Sequence, residues 1–160
     1  MIIHQKITPH LWFNANAEEA IDFYVSLFAK SKVVHKLYYG KGDPGPEGTV
    51  MGILFELEGQ SFGAINGGPI FKLSEAVSLY IGCQTQEEID RLHAALSKGG
   101  EIQPCGWVKD RFGLSWQLNY AKYYDMVSDK DPARARRVID ALFKMKKVDI
   151  AALEKAYAGG

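Results

Sequence analysis

Cysteine is scarce in this sequence of 160 residues, which contains only Cys83 and Cys105. The pair has neither the CxxC spacing of zinc and redox sites nor the density of a secreted disulfide scaffold. We therefore expect two reduced thiols, each buried or half-buried, and no structural role for disulfides.

An excess of charge of one sign is also missing. Lys and Arg together number 19, Asp and Glu together number 19, and the formal net charge at pH 7 is +0. Such a chain produces no global field that attracts nucleic acid or an anionic membrane surface. We expect neither of these as a partner, whereas small-molecule ligands remain open.

Long apolar runs are absent as well. No stretch approaches the roughly 18 consecutive apolar residues of a membrane span, and residues 1–6 lack the apolar run of a signal peptide. With 47% hydrophobic and 24% charged residues, the composition is that of a globular protein. These features predict a soluble, cytoplasmic protein.

Two stretches of the chain share one order of predicted elements. Each opens with a short apolar and aromatic strand, followed by a helix with an acidic first turn. The helix starts are marked by two capping-box pairs, Asn16 with Glu19 and Thr85 with Glu88. Period-two alternation predicts three further strands in each stretch, so that the predicted strands are 10–13, 33–39, 50–57 and 61–66, then 78–81, 101–104, 106–110 and 114–119.

The sequence thus predicts an α+β fold of two βαβββ modules, at about 7–66 and 76–119, which together form one domain over 1–120. Residues 121–160 form a helical C-terminal extension, with N-caps at Asp131 and Asp149 and helices to about Met145 and Tyr157. The segment 40–48 holds four glycines and two prolines, and we interpret it as a mobile hairpin loop placed to cover a cleft.

Five short motifs extend over nearly the whole chain: ITPHLWF at 7–13, NAEEA at 16–20, NGGP at 66–69, CGWVKDRFGLSWQ at 105–117 and MKKVDI at 145–150. Together with the duplicated pattern, they resemble the PhnB-like branch of the vicinal oxygen chelate superfamily. That superfamily includes glyoxalase I, bleomycin-resistance proteins and extradiol dioxygenases. The resemblance implies the glyoxalase/bleomycin resistance/dioxygenase fold, and a homodimer in which paired modules complete cup-shaped cavities.

Members of this branch often carry the label 3-demethylubiquinone 3-methyltransferase. That activity requires S-adenosylmethionine, and the sequence contains no strand, glycine-rich loop and helix unit of the kind that binds nucleotide-like cofactors. We therefore give the label little weight for the mechanism.

In glyoxalase-like relatives, the resemblance implies that the first and fourth strands of each module supply His or Glu ligands to a divalent metal. Here those four positions read His10, Ala64, Ser78 and Gln117. Alanine cannot coordinate a metal, Ser is a poor neutral ligand, and Gln lacks the charge that offsets dehydration of the ion. We expect no cofactor, although a divalent metal that recruits Asp110 is left open.

The remaining prediction is a strand-lined cavity for a small organic molecule. His10 is its only ready proton acceptor and our candidate catalytic residue, although a lone His on an apolar strand is more often a satisfied core residue. The aromatic candidates are ordinary core filling on the alternative interpretation, and Asp110 is then a solvated turn residue. The predicted ligand-binding residues are Trp12, Ser78, Gln117, Tyr80, Trp107 and Asp110.

Three functions fit this pattern. The first is a small-molecule-binding protein whose reaction is metal-independent. The second is a metal-dependent lyase, isomerase or dioxygenase of glyoxalase type. The third is a non-catalytic protein that sequesters a toxic aromatic compound, as bleomycin-resistance relatives do. Fold alone does not choose among them, because one fold supports many chemistries.

Overall fold

The computed structural model describes residues 5–160. Residues 1–4, which contribute to the argument against a signal peptide, lie outside the described residues. The chain divides between Leu73 and Ser74 into two compact units. Each unit contains a four-stranded mixed sheet and the βαβββ order of elements, which confirms the predicted fold class.

The first unit holds one four-stranded sheet and one helix. The sheet order is β1-β4-β3-β2, in which β1 runs parallel to β4 and the other pairs are antiparallel. The bounds are β1 His10–Phe13, α1 Ala17–Leu27, β2 Lys32–Tyr38, β3 Val50–Leu57 and β4 Gln60–Asn66. All four strands appear where alternation of apolar residues predicts them.

One face of this sheet is covered by α1, and the core of the unit lies between them. Leu11 and Phe13 on β1 share that face with alternate residues of β3, such as Ile53 and Phe55, and all four are buried. The helix supplies the matching apolar stripe at 3.6-residue spacing: Ala17, Ala20, Ile21, Tyr24 and Leu27. Each large side chain buried here contributes about 1.5–3 kcal/mol through the hydrophobic effect.

The start of α1 departs from the predicted capping box. Asn16 occupies the N-cap position, but its side chain makes no capping hydrogen bond. The Oδ1 atom of Asn66 accepts instead from the backbone N–H of Ala17, at 2.9 Å. Since Asn66 ends β4, a residue distant in sequence satisfies a helix donor that local patterns assign to Asn16.

The second unit repeats this strand order and adds three helices. Its sheet order is β5-β8-β7-β6, with β5 parallel to β8. The predicted capping residue of α2 is confirmed, because the Thr85 side chain accepts from the N–H of Glu88. The bounds are β5 Ser78–Cys83, α2 Gln86–Ser97, β6 Glu101–Ile102, β7 Trp107–Lys109, β8 Ser115–Tyr120, α3 Tyr123–Val127, α4 Pro132–Leu142 and α5 Ile150–Ala158.

The C-terminal helices differ from the prediction in two details. The short helix α3 was not predicted, and α4 ends at Leu142 rather than near Met145. The backbone beyond α4 makes other bonds: Met145 O and Lys146 O accept from the N–H groups of Cys105 and Gly106, both at 2.8 Å. These bonds hold the extension against the turn that precedes β7.

Both cysteines are free thiols, Cys83 buried and Cys105 half-buried, as expected. Within residues 5–160, none of the helices combines the length and the apolar character that crossing a membrane demands.

Candidate functional site

Each sheet has a second face, opposite its helix, where most of the predicted site residues lie. In the first unit, alternation places His10 and Trp12 on the side away from the buried Leu11 and Phe13. We call this side the first site face. In the second unit, the corresponding side carries Ser78, Tyr80, Gln117 and Trp107, and we call it the second site face.

His10 is exposed at the edge of the first site face. Its register partner on β4 is Gly63, and a Cβ atom at Gly63 would lie only 2.3 Å from Nε2 of the imidazole. The ring therefore rests on glycine backbone. The Nδ1 atom lies 3.1 Å from Thr8 O, so in the neutral ring Nδ1 carries the proton and Nε2 remains a proton acceptor.

Trp12 is fixed on the same face by three contacts. Its Nε1–H donates to Gly68 O at 2.9 Å, and its ring meets Phe71 edge to face with centroids 5.0 Å apart. A Cβ atom at Gly67 would lie 2.2 Å from the indole, so only glycine permits this packing. The indole is a rigid wall rather than a mobile side chain.

The second site face carries a row of three side chains in which an amide lies between two aromatic residues. Tyr80, Gln117 and Trp107 are direct register partners on β5, β8 and β7, and therefore lie side by side on one face. Gln117 Nε2 donates to Ser78 Oγ at 2.8 Å. The structure thus brings together four of the six predicted ligand-binding residues.

Tyr124 extends this row and was missed by the sequence analysis. It lies on α3, and its ring centroid is 5.2 Å from that of Tyr80. Burial raises the pKa of Tyr80, with smaller contributions from Tyr124 and Tyr123, so that Tyr80 keeps its hydroxyl proton at neutral pH. The only sequence signal was the aromatic pair at 123 and 124, which begins three residues after the last strand ends.

Ser115 is a second residue that was not predicted. It pairs with Ser78 across the parallel strands, is fully buried, and its Oγ has no hydrogen-bond partner within residues 5–160. A buried hydroxyl without a partner is costly, and the large majority of buried polar groups in folded proteins have a hydrogen-bond partner.

Asp110 does not belong to this surface, which corrects its assignment as a ligand-binding or solvated turn residue. Only 3% of the residue is exposed. Its carboxylate accepts from Trp116 Nε1 at 2.8 Å, and from the N–H groups of Phe112 and Leu114 at 2.8 and 3.1 Å. Lys109 does not pair with it but binds Glu75, at 2.9 Å. Asp110 therefore holds the β7–β8 turn and the buried indole.

Ala64 also needs a correction. It pairs with Leu11 and is buried on the helix-covered face. Trp12 pairs with Ile65, as Tyr80 pairs with Gln117, so Ile65 is the residue that corresponds to Gln117. The prediction of Ala64 for this position of β4 was therefore wrong by one residue, and a shift of one residue moves a strand position to the opposite face of the sheet.

Neither group implied by family resemblance fits the residues present. Ile65 is as incapable of coordination as alanine, and the described part of the chain contains no cluster of three or more His, Cys, Asp or Glu that could hold a metal ion. For S-adenosylmethionine, the two mixed sheets lack the parallel, doubly wound arrangement in which such cofactors lie across strand ends. We therefore assign no chemistry to either group.

The fold defines a protein of the glyoxalase/bleomycin-resistance type, in the vicinal oxygen chelate superfamily. Residues 5–119 match the sequence model of a family described as 3-demethylubiquinone-9 3-methyltransferase, and the chain belongs to this family. The match stops before α3, so the C-terminal helices lie outside it. No curated protein matches the chain.

Solved structures agree with this assignment. A PhnB protein from Bacillus cereus, described as a putative 3-demethylubiquinone-9 3-methyltransferase, is 41% identical, covers 73% of this chain and all of its own, and superposes with a TM-score of 0.68. Protein PA1353 from Pseudomonas aeruginosa is 25% identical, with 72% and 97% coverage and a TM-score of 0.59.

A more distant structure shares the fold alone. The fosfomycin resistance protein FosX from Listeria monocytogenes, solved with Mn(II) and sulfate, is 14% identical, with 74% and 93% coverage and a TM-score of 0.52.

Proposed function

We propose that this protein binds a small planar organic molecule on its site faces, without a metal ion, and that the second site face provides the main recognition surface. The observation that carries the proposal is the row of Tyr80, Gln117 and Trp107, in which one amide lies between two aromatic rings. Ligand sites commonly combine apolar and aromatic walls with a few polar groups that fix orientation.

The hydrogen bond from Gln117 to Ser78 sets what this row can recognise. Gln117 uses an N–H in that bond, which leaves its Oε1 as an acceptor, while Ser78 retains its hydroxyl proton as a donor. A ligand group that both donates and accepts, such as a phenol hydroxyl, matches this pair. Tyr80 and Trp107 lie on the strands to either side, about 4.8 Å from the central strand, and offer contact to a flat ring.

His10 is the proton acceptor in this proposal. Its Nε2 is the acceptor of the neutral ring, and its side chain is exposed on the first site face. His10 and Trp12 belong to the first unit, and the Tyr80 row belongs to the second. Loss of turnover with unchanged binding in His10→Ala would assign it to catalysis, whereas binding without turnover in both proteins would favour sequestration of the ligand.

Metal-dependent chemistry of the kind suggested by the Mn(II) complex of FosX is not part of the proposal. The donors present do not fit an ion, because the strand positions carry Ile65, Ser78 and Gln117 beside a single histidine. We include dimerisation and a cytoplasmic location in the proposal, on the strength of the family resemblance and the sequence composition.

The test is an NMR titration of the isotope-labelled chain with phenol, using cyclohexanol as the matched probe that keeps the hydroxyl and loses the flat ring. We expect phenol, at about 1–10 mM, to shift the side-chain amide of Gln117 and the indole N–H of Trp107. Cyclohexanol should shift them far less, because it cannot stack.

Two variants define the outcome. Gln117→Leu should abolish the phenol shifts at Trp107, whereas Gln84→Leu, an exposed glutamine at the entrance to α2, should leave them unchanged. The proposal fails if phenol leaves the Gln117 and Trp107 signals in place, or if cyclohexanol binds equally well.

A further inference from the structure

A pocket of about 450 Å³ lies in the first unit, beyond the carboxyl ends of the parallel strands β1 and β4. Its lining comes from the residues after those strands, the start of α1, and the loop between β2 and β3 that the sequence analysis singled out. It contains none of the predicted site residues. Its volume falls within the usual range for small-molecule sites.

Asn66 forms a rigid floor for this pocket. Its Oδ1 accepts from Ala17 N–H at 2.9 Å and its Nδ2 donates to Val50 O at 3.0 Å. Its backbone oxygen accepts from the Tyr39 hydroxyl at 2.6 Å. One residue thereby ties together the helix start, the strand β3 and the loop wall.

The loop over 39–49, which forms one wall of the pocket, is held in place by hydrogen bonds and packing despite its glycine and proline content. Tyr39 N–H donates to Thr49 O at 2.9 Å and Gly48 N–H donates to Tyr39 O at 2.8 Å, which closes the loop at its base. At the tip, a Cβ atom on Gly45 would lie 2.3 Å from the Tyr39 ring. Glycine is therefore required where the loop packs on that ring, and the pocket exists before any ligand binds.

Charge along the lining restricts the ligand. Among residues 5–160, no Lys, Arg or His lines the pocket, and Glu18 is the one carboxylate that does. Lys36 Nζ binds Glu18 Oε1 at 2.9 Å, which offsets that negative charge. The helix start offers no strong anion site either, because Asn66 already accepts from Ala17 N–H. Proline, valine and alanine surfaces make up much of the remainder.

We propose that this pocket, formed by the 39–49 loop, the Asn66 floor and the start of α1, is a second binding site that takes neutral, planar organic molecules. It is separate from the site faces and does not rest on the proposed function. The fixed Tyr39 ring and the prolines provide contact area for a flat ligand. Because Glu18 is paired with Lys36, the described lining residues offer no unpaired charge to attract an ion of either sign.

The test uses three probes of one shape: benzamide, benzoate and benzylamine. In an NMR titration, benzamide should shift the backbone amides of Tyr39, Gly45 and Gly67. Benzoate should bind about tenfold more weakly, a difference of about 1.4 kcal/mol, because its charge loses water and finds no unpaired cation in the described lining. The proposal is overturned if these amides do not move with benzamide, or if benzoate or benzylamine binds more tightly than benzamide.

Two variants separate this site from the other. Asn14→Trp places a large ring in the pocket from an exposed position, and should remove the benzamide shifts at Tyr39 and Gly45 while circular dichroism stays unchanged. His10→Ala should leave benzamide binding intact. If benzamide binding persists in folded Asn14→Trp or disappears in His10→Ala, the pocket is not the site, whatever the outcome of the phenol titration.

Discussion

The two units share a strand order but place different chemistry at matching positions. At the first residue of the leading strand, the first unit has His10 over Gly63, and the second has Ser78 beside Ser115. Two residues further along, Trp12 pairs with Ile65, whereas Tyr80 pairs with Gln117.

Volume accounts for part of this contrast. The imidazole of His10 occupies the space into which a side chain at position 63 would project. In the second unit, the smaller side chain of Ser78 leaves room for a side chain at Ser115 on the neighbouring strand. The first unit therefore pairs a large residue with glycine, whereas the second pairs two small residues. The same strand arrangement therefore presents different side chains in the two units. The first site face holds a titratable group, His10, and the second holds a neutral hydrogen-bonded pair, Ser78 and Gln117.

The last hairpins of the two units provide the sharpest test of this contrast. We predict that Asp110→Ala destabilises the protein by about 3 kcal/mol, because it leaves the Trp116 indole N–H and two backbone N–H groups without their acceptor. The matched change is Glu58→Ala in the first unit's turn, where the carboxylate accepts from the exposed Lys30 N–H at 3.3 Å.

Urea denaturation of both variants measures the difference. Glu58→Ala should cost less than about 1 kcal/mol. Equal costs for the two changes would show that Asp110 does not hold the turn as described.

The helices offer a second comparison. His93 on α2 is buried, and its Nε2 has no hydrogen-bond partner in the part of the chain that the structure describes, whereas the matching position on α1 is Val25. Burial lowers the pKa of His93, helped by Lys147 and opposed by Asp90. As the pH falls through about 6.5, the unfolded chain takes up a proton that the folded chain resists, so stability decreases by at most about 1.4 kcal/mol per pH unit.

Thermal unfolding between pH 7 and pH 5 checks this prediction. The variant His93→Leu should lose part of the pH dependence, and His35→Leu, which removes an exposed histidine of the first unit, should retain it. A wild-type slope that His93→Leu leaves untouched would contradict the assignment.

The smallest predicted effect concerns Ser115, which occupies the position that corresponds to Gly63 in the first unit. Ser115→Ala removes a buried hydroxyl that has no partner among residues 5–160, and should raise the free energy of unfolding by about 1 kcal/mol. Ser78→Ala removes a hydroxyl that accepts from Gln117, and should not stabilise the protein. Destabilisation by Ser115→Ala would mean that this hydroxyl has a partner.

Most helices and strands could be predicted because alternating apolar residues and capping residues mark them within the sequence of each element. Alternation defined β3 and β4, and Asp131 and Asp149 each cap the helix that they were predicted to cap. The helix α3 was not predicted, because it has only five residues and its N-cap residue, Lys122, makes no side-chain capping hydrogen bond. The capping residue of α1 was not predicted, because Asn66, which accepts from the helix start, lies far away in the sequence at the end of β4.

For the candidate site, the sequence predicted which residue types lie on the strands, but it did not predict the register of β4. Tyr80 and Trp107 were chosen as aromatic residues on short strands, and Ser78 and Gln117 were chosen from the strand positions that the family resemblance implies. The structure places all four on one face. A single step of register decided between Ala64 and Ile65, and no local feature of the sequence fixes that step. The burial of Asp110 depends on Trp116, which projects to it across the turn.

The central claim is that these faces bind an organic ligand without a metal ion. Native mass spectrometry of the untagged protein, purified without chelator, tests it most directly, because one spectrum gives the oligomer mass, bound metal and any retained molecule. We predict a dimer with no stoichiometric divalent ion and the same metal content in His10→Ala. About one divalent ion per chain, lost in His10→Ala, would contradict the account.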